Sequence, residues 1–268
     1  MANFVDNYCN FPTVMRRPMW RVWHNLLIRY DKNTNVNFMN YGYAGLNGDV
    51  APVLDENDEH NRYCIQLYDH VVEQVDLKNK RVAEIGSGRG GGADYIARYY
   101  KPLSYTAIDI SQGVIGFCNR NYDAPGLTFK VGKAEDIPLK SLSCDALVNV
   151  ESARCYSDIS LFFTEVHRVL KKGGYFLFAD MIERDEVESI RKRLKAVGLE
   201  IQSEKNITKN VAAGLEKDTQ RRQELINANI PGLLQSSFAS FAGTKGTKRF
   251  NAFRDGTFEY RSFVIRKQ

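Results

Sequence analysis

A glycine-rich stretch, VAEIGSGRGGGADYIARYY over residues 82–100, carries the clearest chemical signal in this 268-residue chain. Its glycines fit two patterns, the G-x-G-x-x-G fingerprint of dinucleotide binding and an E-x-G-x-G-x-G pattern through Glu84, Gly86, Gly88 and Gly90. Glycines between a strand and a helix let the backbone turn sharply and let a ligand approach the unpaired N–H groups of the helix start. The stretch therefore predicts an anionic or carboxylate-bearing ligand.

Acidic residues near the ends of successive strands indicate which nucleotide this ligand contains. Asp109, which lies 19 residues past Gly90, can accept hydrogen bonds from both hydroxyls of a ribose. Glu84 is placed to hold an ammonium group, whereas a dinucleotide pyrophosphate would be repelled by an acid there. Glu135, beside Ala134 in the loop after the third strand, could recognise an adenine amino group. These positions favour an adenosine-type ligand that also carries an ammonium group.

Short apolar runs alternate with helical patterns through the middle of the chain. The strand candidates are RVAEIG, SYTAIDI, LTFKVGKA, CDALVNVES and YFLFADM, and the helix candidates are NDEHNRYCIQLYDHVVEQVDL, GGADYIARYY, QGVIGFCNRNY and ISLFFTEVHRVLKKGG. Strands separated by helices predict parallel βαβ units and a sheet that is covered on both faces. The fold class is therefore α/β.

The C-terminal part predicts a pair of strands interrupted by a helical insertion. LEIQSEKNIT and TFEYRSFVIRKQ alternate like strands, residues 209–233 have a helical pattern, and SFASFAGTKGTKRFNAFRDG has the features of a loop with spaced Phe. We expect one domain with an N-terminal helix and lid over residues 1–60, a cofactor-binding core over 61–185, and a C-terminal part over 186–268. The insertion, about 209–255, would line the substrate pocket.

Composition excludes several other classes of protein. The net charge of +5 arises from 37 basic and 32 acidic residues mixed along the chain, which is too small an excess to indicate nucleic-acid binding. Five scattered cysteines without a C-x-x-C pair or a suitably spaced His predict a reduced protein without a metal site. No uncharged run approaches the roughly 18 residues that a spanning helix needs, so we expect a cytoplasmic protein.

Several ordered motifs together resemble a known family. The order E-I-G-S-G-R-G, D-I-S, G-K-A-E-D-I-P-L, D-A-L-V-N-V-E and V-L-K-K-G-G-Y-F-L, over roughly residues 62–182, resembles the class I S-adenosylmethionine-dependent methyltransferases. The resemblance implies a Rossmann-like, doubly wound and mostly parallel sheet with an antiparallel last strand. It also implies S-adenosylmethionine as cofactor and S-adenosylhomocysteine as product.

Longer stretches are similar to one group within that family. GRGGGADYIARYYKPLSYTAIDIS, VNVESARCYSD and FMNYGYA resemble the phthiotriol dimycocerosate O-methyltransferases and the teleocidin-type C-methyltransferases. This similarity implies a small hydrophobic acceptor, such as a natural product, polyketide, terpenoid or lipid-like molecule. It leaves open whether oxygen, nitrogen or carbon receives the methyl group.

The family pattern implies a role for each matching residue of the glycine stretch and of the next strand end. Gly86, Gly88 and Gly90 would pass under the methionine and ribose parts of the cofactor, with Glu84 near the methionine end. Asp109 would bind the ribose.

Other matching residues would surround the adenine and the methionine portion. Ile110 would pack on the adenine, and Ala134 with Glu135 would face its edge. Asn149, at the end of the fourth strand, would line the methionine portion.

The N-terminal segment has two features of interest. Tyr41 and Tyr43 match the segment that the related enzymes fold over the cofactor. Upstream, Trp20, Trp23 and Leu27 share one apolar helical face. That face would pack on the core, cover an apolar substrate, contact a second subunit or lie on a membrane surface, and the sequence does not rank these alternatives.

The catalytic base is the position where the chain departs from its relatives. They tend to have Glu-Ala-Ser-His-Cys-Tyr, whereas this chain has VESARCY, with Arg154 in place of the His. Arginine does not lose its proton in proteins, so Arg154 would instead bind an acidic or carbonyl group of the substrate. Glu151, His24 and His60 remain as candidate bases, unless Glu151 is only a helix-start carboxylate or the acceptor needs no base.

Three alternative functions stay open at this point. A NAD-dependent oxidoreductase would use the dinucleotide pattern but leaves the Glu135 loop without a role. A nucleic-acid methyltransferase could use the basic residues near Arg191 and Lys248, although the fourth strand lacks a Pro-Pro-Tyr/Phe signature. A protein that binds the cofactor without turnover is the third.

Overall fold

The computed structural model describes residues 36–46 and 48–268, and these residues form a seven-stranded sheet. The strands are β1 (Arg81–Ile85), β2 (Ser104–Asp109), β3 (Leu127–Val131), β4 (Cys144–Val150), β5 (Leu170–Glu183), β6 (Leu199–Asn206) and β7 (Phe258–Lys267). Across the sheet their order is β3-β2-β1-β4-β5-β7-β6. β1 to β5 run parallel, and β7 is antiparallel to both β5 and β6, as expected from the sequence.

Helices cover both faces of this sheet. They are α1 (Arg62–Val72), α2 (Gly91–Tyr100), α3 (Gln112–Asn121), α4 (Ile159–Val169), α5 (Val187–Ala196), α6 (Thr208–Asn229), α7 (Gly232–Phe241) and α8 (Lys248–Arg254). A short 3₁₀ helix, Glu56–Asn61, leads into α1, and two more follow β4 and β5 at Ala153–Cys155 and Arg184–Glu186.

Strand side chains alternate between two apolar cores. In β1, Val82 packs in a core with residues of α1, α2, α3, α6 and α8, whereas Ala83 packs in the opposite core with residues of α4 and α5. In β5, Leu177 and Phe176 divide in the same way. Because neighbouring strand residues point to opposite faces, both faces of the central strands are apolar and the sheet lies in the middle of the fold.

The carboxyl ends of the parallel strands meet at one edge of the sheet. The glycine stretch follows β1, Asp109 ends β2, and Glu151 directly follows β4. In open α/β sheets, ligands bind outside this edge, at the point where the strand order reverses. Here the order reverses between β1 and β4, which concentrates the predicted site residues beside that point.

Two predictions about element boundaries are wrong. The stretch predicted as a loop, residues 237–256, contains the last five residues of α7 and all of α8, because Phe238 packs on Ile226 and Ile230 of α6, and the Thr247 side chain caps α8. Glycines on both sides of these short helices hid the helical pattern in the sequence.

The predicted helix ending in LKKGG is also too long. α4 ends at Val169, and β5 begins at Leu170, which pairs with Cys144 of β4 before a bulge. All five residues of LKKGG therefore belong to β5, because pairing with β4 begins at Leu170, before the glycines.

Within residues 36–46 and 48–268, no helix is both long enough and apolar enough to cross a membrane. His24 and the apolar face with Trp20 and Trp23 lie outside the described residues.

Candidate active site

The glycine loop between β1 and α2 is folded as its sequence predicts. Gly86, Gly88 and Gly90 have φ angles of 75°, 52° and 82°, in the left-handed region that favours glycine. A Cβ added at Gly86 would lie 2.3 Å from Oγ of Ser152, whereas one added at Gly88 would meet nothing within 4 Å. The backbone at Gly88 therefore borders open space that a ligand can occupy, while Gly86 packs directly on the segment after β4.

Asp109 is fixed beside this loop by backbone hydrogen bonds. Its Oδ2 accepts a 3.1 Å bond from the N–H of Gly88, and its Oδ1 accepts a 2.9 Å bond from the N–H of Ser111. Each carboxylate oxygen can accept more than one hydrogen bond, so both keep lone pairs for ligand hydroxyls. The next turn is ordered too, because the Ser111 hydroxyl caps α3 at the N–H of Val114.

The loop and Asp109 border a cleft of about 1090 Å³ that is partly open to solvent. The cleft is lined by residues that follow four strands and by the segment before the core, including Asn37, Phe38, Tyr68, Gly86, Gly88, Asp109, Ile110, Ala134, Glu135, Glu151, Ser152, Arg154 and Tyr156. A partly open cleft at the carboxyl ends of these strands suits a small-molecule ligand.

Glu151 is the buried carboxylate of this cleft. Its Oε1 accepts hydrogen bonds from the backbone N–H of Tyr41 at 2.7 Å and from the hydroxyl of Tyr260 at 2.9 Å. Among the residues that the structure describes, none donates a hydrogen bond to Oε2, which lies 3.8 Å from Nη2 of Arg154. Burial raises the pKa of Glu151 from 4.5 to about 7, against the opposing effect of Arg154.

Glu151 also has an unusual backbone conformation. Its φ is 51°, and non-glycine residues adopt this region rarely and at a cost of order 1–3 kcal/mol. Its backbone N–H donates to the carbonyl of Ala179 in β5, which continues the sheet pairing one residue past β4. The strained conformation is therefore held by surrounding structure, and it turns the Glu151 side chain toward Tyr41 and Tyr260.

Arg154 is held by a second buried acid. Its Nη1 donates to Oδ1 of Asp180 at 2.9 Å and its backbone N–H to Oδ2 of the same residue at 3.2 Å. The guanidinium lies over the ring of Tyr41 at 5.6 Å from the centroid. Arg154 thus lines the cleft as a fixed positive charge beside Glu151, which is consistent with the expectation that it is not a base.

Asn149 shapes the cleft without lining it. Its Nδ2 lies within hydrogen-bond distance of the carbonyl of Ile85, Oγ of Ser152 and the hydroxyl of Tyr156, at 2.8, 2.7 and 2.8 Å. Ser152 and Tyr156 do line it. The end of β4 is therefore tied to the end of β1 through this amide.

The residues predicted to surround the adenine lie on one side of the cleft. Ile110, Ala134 and Glu135 line the cleft on the side of β2 and β3. Oε1 of Glu135 accepts two 2.7 Å hydrogen bonds, from the backbone N–H and the hydroxyl of Ser157. The Glu135 carboxylate is therefore positioned by the segment after β4.

Besides Asn149, four residues predicted to bind the cofactor do not line the cleft: Tyr41, Tyr43, Glu84 and Gly90. Glu84 is fully buried, and its two oxygens accept hydrogen bonds from the hydroxyls of Tyr68 and Tyr105. Burial raises its pKa to about 7, against the lowering effect of the two hydroxyls. Gly90 packs on the core, since a Cβ there would come within 2.8 Å of the Tyr122 ring.

The two tyrosines of the N-terminal segment have different surroundings. Tyr41 contributes its backbone N–H to Glu151, and its ring packs edge-on against Phe253 at 5.3 Å. Tyr43 lies away from the cleft, where it stacks on His70 at 4.6 Å and its hydroxyl donates to Asp49.

The two remaining candidate bases are not part of the described cleft. His24 lies outside the described residues. His60 lies next to Asn61, 2.8 Å from its side chain, and does not line the cleft.

Sequence reasoning missed several residues that line the cleft. They are Asn37, Phe38, Met39, Tyr68, Ser87, Arg89, Ser152 and Tyr156. Ser87 and Arg89 lie between the fingerprint glycines and could have been included on that ground. Asn37 is held by its carbonyl, which accepts a hydrogen bond from the N–H of Gly91 at the start of α2, and no local pattern indicates this contact.

Comparisons with known proteins identify the family to which this chain belongs. Residues 83–178 match a family described as a methyltransferase domain. The chain is 36% identical over 236 residues to the fatty-acid O-methyltransferase of Mycolicibacterium smegmatis, covering 88% of this chain and 85% of that protein. It is 35% identical over 249 residues to the phthiotriol/phenolphthiotriol dimycocerosates methyltransferase of Mycobacterium tuberculosis, covering 93% and 92%.

The chain belongs to the class I S-adenosylmethionine-dependent methyltransferases. The fold agrees, since the solved structure of the [4+2]-cyclase SpnF superposes with a TM-score of 0.69 at 18% identity, covering 91% of this chain and 93% of that one. The predictions of a methyltransferase and of S-adenosylmethionine as cofactor are confirmed. The alternative of a NAD-dependent oxidoreductase is wrong.

Proposed function

We propose that this methyltransferase transfers the methyl group to a hydroxyl oxygen of an apolar, lipid-like acceptor, with Glu151 as the general base. One observation carries the proposal: Glu151 lines the cleft with a carboxylate whose pKa is raised to about 7. A base works best when its pKa lies near the pH at which the enzyme operates. An alcohol acceptor requires such a base because its hydroxyl proton must be removed.

The cleft fits the adenosyl cofactor on two observations. The open space at Gly88 can take a ligand against the backbone, and the anchored carboxylate of Asp109 can accept hydrogen bonds from ribose hydroxyls. We propose that Gly86 and Gly88 lie under the ribose and methionine parts and that Ile110, with the adjoining loop after β3, contacts the adenine. When bound, S-adenosylmethionine supplies an electrophilic methyl group on a sulfonium.

We propose that Ala134 and Glu135 contact the edge of the adenine, because both residues line the cleft. Glu84 and Asn149, which are predicted to bind the cofactor but do not line the cleft, act indirectly in this proposal. Glu84 supports Tyr68 through a hydrogen bond, and Asn149 holds Ser152.

The chain's own residues prepare and hold the base. Tyr41 and Tyr260 bind Oε1 of Glu151, so Oε2 is the oxygen that receives the acceptor proton. Arg154 lies 3.8 Å from that oxygen and stabilises its ionised form. Phe38 lies at the border of the cleft, where it limits the access of water to the reacting groups.

The relatives support an oxygen acceptor of this kind. The protein from M. smegmatis is named as a fatty-acid O-methyltransferase, and the M. tuberculosis protein is named for phthiotriol and phenolphthiotriol dimycocerosates. Both named substrates are apolar. The insertion of α6 to α8 would supply the wall of the acceptor pocket in this chain.

A cytoplasmic location is part of the proposal. The buried thiols of Cys64, Cys118 and Cys144 are unpaired, which fits a reducing compartment. Fractionation of cells that produce the protein would test this location.

The experiment compares the wild type with Glu151→Gln in a mass-spectrometric assay of methyl transfer from S-adenosylmethionine to long-chain alcohols and hydroxy acids. We expect kcat to fall roughly 10²- to 10⁴-fold, the usual contribution of a general base, while the affinity for S-adenosylhomocysteine is retained. Glu183→Gln, at an exposed position, is the matched control. A Glu151→Gln enzyme with wild-type kcat on such an acceptor would exclude Glu151 as the base.

A further inference from the structure

A second cavity, of about 750 Å³ including space that is open to solvent, lies next to the cofactor cleft. Its wall is mostly apolar and comes from α6, α7 and the segment before the core: Val36, Phe38, Met39, Leu225, Ile226 and Phe238. The two cavities share Asn37, Phe38 and Met39. These three residues therefore border both cavities, and a long apolar molecule in the second cavity would have to extend past them to reach Glu151.

The shared segment is fixed at both ends. The carbonyl of Asn37 accepts a 3.2 Å hydrogen bond from the N–H of Gly91, and the carbonyl of Asn40 accepts a 3.0 Å bond from Nη2 of Arg222. Asn40 also donates from its Nδ2 to the carbonyl of Cys64. Residues 37–40 thus have a defined position between the cofactor loop and α6, and residues 37–39 border both cavities.

A charged cluster lies at the polar end of the second cavity. Asp218 forms salt bridges with Arg221 at 2.6 Å and with Arg222 at 2.8 Å, and both arginines line the cavity. Two guanidinium groups and one carboxylate give this cluster a net charge of +1. Arg221 is the more accessible of the two arginines, with 24% of its side chain exposed against 9% for Arg222.

This excess charge favours an anionic ligand. The other hydrogen bonds of the two guanidinium groups go to uncharged groups. Arg221 donates to Oδ1 of Asn61, Arg222 donates to the carbonyls of Asn40 and Ala242, and both donate to Sγ of Cys64. Nε and Nη2 of Arg221 already donate to the two oxygens of Asp218, so a ligand carboxylate would be bound by Nη1 and by the net positive charge of the cluster. An apolar cavity that ends in such a cluster has the features of a site for a chain with a terminal acid.

We propose that the second cavity binds the hydrocarbon chain of a hydroxylated long-chain acid, with its carboxylate on Arg221 and its hydroxyl at Glu151. This assignment rests on the proposed function and names the class of acceptor. The acceptor oxygen forms a bond to the methyl carbon as the sulfur–carbon bond breaks, S-adenosylhomocysteine leaves, and the hydroxyl proton goes to Oε2 of Glu151. The product is a methyl ether that keeps its free carboxylate, and not a methyl ester.

A binding experiment tests the cavity without requiring turnover. Calorimetric titrations with dodecanoate and with dodecanol, in the presence of saturating S-adenosylhomocysteine, keep the cofactor cleft filled. We expect dodecanoate to bind one to one and at least tenfold more tightly than dodecanol. Leu225→Trp, which fills the cavity from a half-buried position on α6, should abolish binding of both, and Arg221→Met should remove the preference for the acid.

Two control variants are matched to these substitutions. Leu233→Trp adds the same side chain at a position of α7 that is 82% exposed, and Arg191→Met removes an arginine that pairs with Glu204 on α5 and β6, away from both cavities. Both should bind dodecanoate like the wild type. Equal affinity for the acid and the alcohol, or unchanged binding in Leu225→Trp, would overturn the proposal. Circular dichroism and the affinity for S-adenosylhomocysteine establish that each variant is folded.

The product decides the orientation of the acceptor. With 12-hydroxydodecanoate and S-adenosylmethionine, we expect a methylated product that survives mild alkaline hydrolysis, because an ether resists it and an ester does not. A product that alkali cleaves would overturn the proposed orientation while leaving methyl transfer intact. If no hydroxylated acceptor is methylated but dodecanoate binds as described, the proposed function fails and the acid site stands.

Discussion

The backbone N–H of Tyr41 donates a 2.7 Å hydrogen bond to Oε1 of Glu151, joining residues 110 positions apart in the chain. The hydroxyl of Tyr260 in the last strand donates to the same oxygen at 2.9 Å. The Glu151 carboxylate is therefore held from two sides, by the segment before the core and by β7. Because both donors bind Oε1, Oε2 is the oxygen that we propose receives the acceptor proton.

The rate of methyl transfer should depend on the ionisation of Glu151. Burial raises the pKa of this carboxyl from 4.5 to about 7, and only the deprotonated form can accept a proton. We expect kcat to rise with pH and to level off above about pH 7. The measurement is kcat for an alcohol acceptor from pH 5.5 to 9 with cofactor saturating.

The same profile for Glu151→Gln is the control for this prediction. The variant has no titrating group at this position, so its residual rate should lack the rise near pH 7. An identical rise in both enzymes would assign the titration to another group and contradict the role of Glu151.

A second prediction concerns stability and Glu84. Its folded pKa is raised from 4.5 to about 7, so the folded state favours the protonated form. The stability that this preference contributes is fully present below pH 4.5 and is lost as the pH rises through 7. Glu84→Gln cannot ionise, and the difference in free energy of unfolding between variant and wild type should change by about 3 kcal/mol over this window.

Urea unfolding at pH 5, 6, 7 and 8 measures this difference. Glu183→Gln, at an exposed position, should unfold with the same pH dependence as the wild type. If Glu84→Gln did so too, the carboxyl would titrate alike in the folded and unfolded chains, and the raised pKa would be excluded.

The sequence predicts the residues around the proposed cofactor site better than those around the proposed acceptor site. The glycine loop and Asp109 are local features at strand ends, so their spacing alone predicts their position. By contrast, Tyr260 reaches Glu151, and Asn37 reaches the cleft, only through contacts between distant parts of the chain, which no local pattern encodes. The sequence does not predict the end of α7 or α8, because both helices are short, with 10 and 7 residues, and the glycines between them and after them are typical of a loop.

A third prediction uses the open space at Gly88. Gly88→Ala places a methyl group where the cofactor would lie, and it should weaken S-adenosylmethionine binding at least ~10-fold, or about 1.4 kcal/mol. The substitution also costs about 1 kcal/mol of stability because φ is positive there. Gly48→Ala is the matched control, with φ of 92° and nothing within 4 Å of an added Cβ, but away from the cleft.

The two glycine variants separate strain from contact with the ligand. Both should lose a similar amount of stability in thermal unfolding, and only Gly88→Ala should lose cofactor affinity in calorimetry. Full affinity in Gly88→Ala would mean that the cofactor does not approach this part of the loop.

Calorimetric titration with S-adenosylmethionine, S-adenosylhomocysteine and NADH, of the wild type and of Asp109→Ala, tests whether the cleft is the cofactor site. We expect the two adenosyl ligands to bind and NADH not to bind, and we expect the substitution to weaken binding by roughly 1.5 to 3 kcal/mol, the contribution of hydrogen bonds to a charged group. Asp123→Ala, at an exposed position, should bind like the wild type. Unchanged affinity in Asp109→Ala, or binding of NADH in place of the adenosyl ligands, would contradict the account.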